Sequence, residues 1–199
     1  MSASDELSET TKSWLQEMAV EEVMGIHNLI YTKPIIKGIV CEYDSIDLYN
    51  KVMFTHFSKN SVGIEKNGFK ATPNLLDDDY AIKIVSSWDA TTFPFFEEDV
   101  TKQIKKGGYD WQCRVYMMLF GISRSFVSYC LVDTPKGDLF LQGWENETLH
   151  RFNGNADAQK RVSISKVIER DTSIEQEMRE RYEIANRYYQ NYLEELYYK

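Results

Sequence analysis

Proline is scarce in this chain of 199 residues, with four in all, and histidine and cysteine are scarcer, with three each. Three cysteines is an odd number, and Cys41, Cys113 and Cys130 show no C-x-x-C spacing. A disulfide scaffold and a thiolate zinc site are therefore not expected; buried free thiols in a reducing compartment are. His27, His56 and His150 are scattered without H-x-H or H-E-x-x-H spacing, which argues against zinc chemistry and leaves surface or capping roles. No glycine-rich phosphate loop of the G-x-G-x-x-G or G-x-x-x-x-G-K-[ST] type occurs. No apolar run reaches the length of a membrane span, and the N-terminus lacks a basic region followed by an apolar block. The expectation is a soluble chain without a secretory signal. Positive charge is also short: 23 Lys and Arg face 31 Asp and Glu, a net charge of -8. That balance lowers the expectation of a nonspecific grip on nucleic acid, but it leaves room for a local basic groove.

What is present is a core's worth of apolar residues, at 43%, and an excess of aromatics, at 14%, much of it tyrosine. The length suits one domain, or one domain with an appendage. Residues 1–32 read as an N-terminal helical segment, 33–160 as a core domain and 161–199 as a C-terminal helical extension. In the first, Met1 to Glu9 is polar and frayed, and Trp14, Leu15, Met18, Val23 and Ile26 mark the apolar side of a helix. Pro34 interrupts the pattern. A second helix is expected from Gly38 through Glu42, Ile46, Tyr49, Val52 and Phe54. Residues 57–69 are turn-rich. Two strands follow, Lys70 to Leu76 and Tyr80 to Ser86, with Asp77, Asp78 and Asp79 as a solvated turn between them. Trp88 to Phe96 reads as a loop, and Lys102, Lys105 and Lys106 as a solvated basic loop. A helix over Tyr109–Phe120 and a strand over Ser125–Val132 come next. The segment 138–161 is irregular and holds Trp144, Asn146 and His150. From about Ser173 to Lys199 there is no glycine or proline. Ile174, Met178, Tyr182, Ala185, Tyr189, Tyr192 and Leu196 recur there at steps of three and four, the spacing of a long helix.

Several short motifs between Lys33 and Pro135 stand in a fixed order. Gly38-Ile39-Val40-Cys41-Glu42 precedes Thr72-Pro73-Asn74-Leu75-Leu76. Lys83-Ile84-Val85-Ser86-Ser87-Trp88 follows, with Thr92-Phe93 after it. Gln112 and Tyr116 form a Q-x-x-x-Y pair, and Leu131-Val132-Asp133-Thr134-Pro135 ends the series. Together they resemble the PD-(D/E)XK nuclease superfamily, in its RecB-like and lambda-exonuclease-like branch, and look most like phage-encoded members. The resemblance implies an α/β (α+β) fold with a central mixed sheet flanked by helices, here with a long C-terminal helix added. It also implies that a glutamate at Glu42, an acid at Asn74, an acid at Lys83 and a lysine at Val85 would hold a divalent metal and its attacking water.

This chain departs from that pattern at three of the four positions. Asn74 is a neutral amide, a poor ligand for a hard cation. Lys83 puts a positive charge where an anionic ligand belongs; about 4 Å from a divalent ion it would repel that ion by several kcal/mol even at moderate dielectric. Val85 carries neither proton nor charge. Asp79 is roughly 13 Å along the strand from Lys83 and too far to substitute, while Asp89, Glu97 and Glu98 lie on the following loop. Catalysis is not expected at Glu42, Asn74, Lys83, Val85, Gln112 or Tyr116. An ion pair of Lys83 with Glu42, and hydrogen bonding and packing of Gln112 and Tyr116 against the hairpin, are. No cofactor is expected, with Mg²⁺ or Mn²⁺ only if other ligands have taken over.

Two functional readings follow, with a metal-dependent exonuclease of rearranged ligands as a third. In the first, an inactive nuclease fold from a tailed phage serves as a structural or assembly component, a ring or connector of the virion. Met178, Tyr182, Tyr188, Tyr189, Tyr192, Leu196 and Tyr197 would then meet further copies or other phage structural proteins. In the second, a noncatalytic DNA-binding protein keeps the cleft, and Lys83 replaces the metal as a phosphate contact with help from Lys102, Lys105 and Lys106. The virion or the host cytoplasm is the expected location, with no membrane association.

Overall fold

The structure, a computed structural model, describes residues 6–137, 140–141, 146–152 and 157–199. Trp144 and Met1 to Asp5 lie outside the described residues. The helices are Glu9–Met24 (α1), Lys33–Val40 (α2), Glu42–Met53 (α3), Glu97–Gly107 (α4), Tyr109–Phe120 (α5) and Thr172–Tyr197 (α6). The strands are Ile64–Lys66 (β1), Phe69–Ala71 (β2), Leu75–Leu76 (β3), Tyr80–Ser86 (β4), Arg124–Cys130 (β5), Val162–Ile164 (β6) and Ile168–Glu169 (β7). Single turns of 3₁₀ helix occupy Glu147–His150 and Ala158–Arg161. The chain forms two compact units, one from Met1–Ile30 with Asp171–Lys199 and one from Tyr31–Arg170. The expected α/β class with a long C-terminal helix is what the structure has.

In the first unit α1 and α6 pack together. Ser8 caps α1 by accepting from Thr11 N, and Gly25 ends it in the left-handed region. Ile26 lies beyond that stop. Leu15 and Ala19 are buried, whereas Trp14 and Met18 are exposed, so the buried stripe of α1 is rotated from the expected one. Asp171 caps α6 by accepting from Ser173 N and Ile174 N. At 1.5 Å per residue the 26 residues of α6 span about 39 Å. Two of its tyrosines are engaged within the chain: Tyr188 Oη accepts from Gln16 Nε2 at 2.8 Å, and Tyr189 Oη donates to Glu22. Tyr197 and Tyr198 are exposed.

The second unit is built on a mixed sheet of order β3-β4-β5-β6, with β7 also paired to β5. β4 and β5 are parallel, Tyr80 opposite Arg124 through Ser86 opposite Cys130. β6 and β7 run antiparallel to β5 at its two ends. Both fall in the stretch read from sequence as a helical extension.

Side chains alternate along β4. Ile82 and Ile84 pack with Ile46 and Tyr49 of α3, while Val85 joins Val100, Ile104 and Cys113 of α4 and α5 on the other face. Each fully buried aliphatic chain of this kind contributes about 1.5–3 kcal/mol.

Several boundaries differ from expectation. Pro34 starts α2 rather than ending a helix, since its missing N–H is harmless in a first turn. The helix expected from Gly38 to Phe54 is two helices, broken at Cys41. The turn-rich segment contains a β1–β2 hairpin whose loop, Asn67 and Gly68, takes positive φ at both residues, the geometry of a tight two-residue turn. Thr72, Pro73 and Asn74 divide the expected first strand into β2 and β3. The basic loop is instead helix α4. Lys105 and Lys106 sit in its last turn, where positive charge complements the helix end.

Candidate active site

The strand alternation that buries Ile82 and Ile84 toward α3 sends Lys83 and Val85 to the opposite side, toward α5. There they line a cleft of about 880 Å³. One wall is α2, through Pro34, Ile35, Gly38 and Ile39. The other holds Lys106, Gly107 and Tyr109, where α4 passes into α5. Gly108 joins the two helices at φ 66°, a left-handed conformation open to glycine. The floor comprises β4 from Lys83 onward, then Ser87 and Trp88, with Tyr129 from β5 beside them. Glu42 and Asn74 also line this cleft. The structure thus gathers Glu42, Asn74, Lys83 and Val85 from three separate segments: the start of α3, the residue before β3, and β4.

Glu42 does not pair with Lys83 as expected. Its two oxygens are already occupied: Oε1 accepts from Asn74 Nδ2 at 2.5 Å, and Oε2 faces Lys59 Nζ at 2.5 Å. Asn74 is held in turn, since its Oδ1 accepts from Ile84 N at 3.1 Å. The Lys83 ammonium instead lies 5.9 Å from the centre of the Tyr109 ring. Among the described residues no carboxylate comes within ion-pair distance of it. Burial pulls its pKa below the usual lysine value, and the more distant charge of Glu42 works in the other direction. Lys59 was invisible to motif reading because it sits in the irregular stretch before β1.

Gln112 and Tyr116 do not line the cleft. Tyr116 is buried against Ala71, Ala81, Met117 and Ile122, as a packing residue should be. Gln112 is exposed in the first turn of α5, and its side chain makes no hydrogen bond among the described residues. Of the alternative acids, Glu98 is exposed in the first turn of α4 and does not line the cleft, and the other three are committed elsewhere. Asp79 pairs with Arg124, Glu97 with Lys166, and Asp89 Oδ1 accepts from Thr91 and Thr92 within its own turn. His150, expected at the surface, is buried with Nδ1 3.1 Å from Thr134 Oγ1 and its ring 4.8 Å from that of Trp88. Sequence reading also missed Lys37, which is fully buried and donates to Trp88 O and Val132 O, both at 2.8 Å.

The divalent cation implied by the resemblance does not fit these residues. One carboxylate, neutralised by Lys59 and an amide, stands with an ammonium and an isopropyl group. Among the described residues no cluster of three or more His, Cys, Asp or Glu side chains is placed to chelate an ion.

No family model matches the sequence, and no curated protein does. Solved structures do match. A phage-related exonuclease from Haemophilus somnus 129PT superposes with a TM-score of 0.88 at 24% identity, over 96% of this chain and 86% of that one. An alkaline exonuclease, LHK-Exo, from Laribacter hongkongensis superposes at 0.59 and 14% identity, over 97% of this chain and 84% of that one. The same enzyme in complex with dAMP gives 0.58. This chain has the fold of those exonucleases.

Proposed function

We propose that this is a non-cleaving, nuclease-fold protein of phage origin that holds nucleic acid in the inherited cleft by charge, without a metal. The observation that carries the reading is Lys83: a cation in the cleft with no acid partner among the described residues, beside a Glu42 whose charge Lys59 takes up. Lys106 adds a second positive group to the wall. Fold alone does not give function. The likeness to a phage-related exonuclease supports the phage origin, and the site residues support the change of chemistry.

Linear DNA incubated with Mg²⁺ or Mn²⁺ should stay intact, and binding should persist in EDTA. Lys83→Glu should weaken that binding at least about tenfold, the effect of reversing one close phosphate contact. Metal-dependent degradation that Glu42→Ala abolishes would establish the exonuclease reading instead.

A second reading, assembly with further copies or other virion proteins, is favoured by one observation. Ile39, Val40 and Tyr43 on α2 and the start of α3 are exposed, as are Tyr197 and Tyr198 at the end of α6. Light scattering on the purified chain separates the two: a closed oligomer supports assembly, and a concentration-independent monomer opposes it.

A further inference from the structure

We propose that the cleft takes a single strand of nucleic acid, its phosphates on Lys83, Tyr129 and Ser87 along the floor and its bases against the apolar wall of α2. This deepens the reading above and rests on it.

The observation is a pair of stranded hydroxyls. Tyr129 is 2% exposed and Ser87 6%, and neither Tyr129 Oη nor Ser87 Oγ has a hydrogen-bond partner among the described residues. Both residues line the cleft. A buried hydroxyl left unpaired costs on the order of 1–3 kcal/mol, so folded interiors keep few of them. An acceptor brought by a ligand removes that cost. Burial pushes the Tyr129 phenol up, so it stays protonated and can donate.

The donors form a row. Lys83, Val85 and Ser87 share one strand face, and Ser87 N continues the ladder past β4 by donating to Cys130 O at 2.9 Å. Tyr129 stands opposite Val85 in register. The row therefore spans about 13 Å, at roughly 3.3 Å per residue. That is longer than one phosphate needs and matches a stretch of backbone.

The facing wall differs in kind. Ile35 and Ile39, one helical turn apart, line the cleft, and Ile39 is 62% exposed. A duplex carries its phosphates outside and its bases inside, so it would lay charge on this wall. A single strand has one anionic edge and one apolar edge, the pairing that strand-binding grooves use.

Fluorescence anisotropy in EDTA tests this with a labelled single strand, the matching duplex and an abasic strand of equal length. The single strand should bind about tenfold or more tighter than either, the worth of base contacts to such a wall. Tyr129→Phe and Ser87→Ala should each weaken it about tenfold while leaving the melting temperature unchanged or raised, since each deletes an unpaired buried hydroxyl. Ile39→Asp should weaken the single strand and spare the abasic one. Inorganic phosphate should displace the strand only at far higher concentration; displacement at equal concentration would mean a lone anion seat and overturn the proposal. Duplex binding as tight as single strand, or hydroxyl variants that bind like wild type, would also overturn it. Lys83-dependent binding would in that case leave the broader reading standing. No binding of any nucleic acid would bring down both.

Discussion

Lys37 shows how much one side chain can depend on its surroundings. It is wholly buried, donates to two carbonyls just past the ends of β4 and β5, and has no carboxylate partner at ion-pair distance among the described residues. Burial lowers its pKa from 10.5 to about 8, with Cys41, Asp89 and Asp133 opposing the shift. The linkage has a definite sign. Below the folded value both states hold the proton and the burial penalty is constant. Between about 8 and 10.5 the unfolded chain binds more protons, so stability rises with pH. The gain across that window is on the order of 3 kcal/mol. Denaturant unfolding at about pH 8 and about pH 10, within the window, should show this rise in wild type and its loss in Lys37→Met. An equal slope in both proteins would reject Lys37 as the source.

At the scale of elements, the α4–α5 junction sets the basic wall of the cleft. Gly108 holds φ 66° there, and a β-branched residue pays roughly 1–2 kcal/mol in that conformation. Gly108→Val should therefore lower the melting temperature and shift Lys106 and Tyr109, weakening strand binding as well; an unchanged melting curve would argue against the assigned backbone. The same junction shows what the sequence could tell. The limits of α5 were legible because Gly108 and Gly121 bracket an apolar run. α4 was missed because its buried residues, Val100 and Ile104, are too few to outweigh its lysines. The Asn67-Gly68 hairpin carried a local signal that the polar surroundings masked. In the site, the order of motifs was enough to place Glu42, Asn74, Lys83 and Val85 together. Lys59, Tyr129 and Ser87 were not legible, because their roles depend on which strand lies beside which. The Lys83–Glu42 pairing failed for a related reason: charge complementarity names possible partners, and only geometry decides which partner arrives first.

For the whole molecule the net charge is -8, while the cleft is lined by Lys83 and Lys106, neither with an acid at ion-pair distance among the described residues. Acidic surfaces repel a polyanion, and few phosphates can be neutralised. The salt dependence of strand binding should consequently be shallow, a log–log slope of about -1 to -2 for one to three contacts. A steep slope would mean a basic surface elsewhere. At the inherited metal position, an ammonium and an isopropyl group occupy the places that would chelate a cation and orient its water. Calorimetric titration of Mn²⁺ into wild type, Glu42→Ala and the triple variant Asn74→Asp, Lys83→Asp, Val85→Lys tests this most directly. Wild type and Glu42→Ala should give indistinguishable weak heats, and the triple variant a stoichiometric site. A stoichiometric site in wild type that disappears in Glu42→Ala would contradict it.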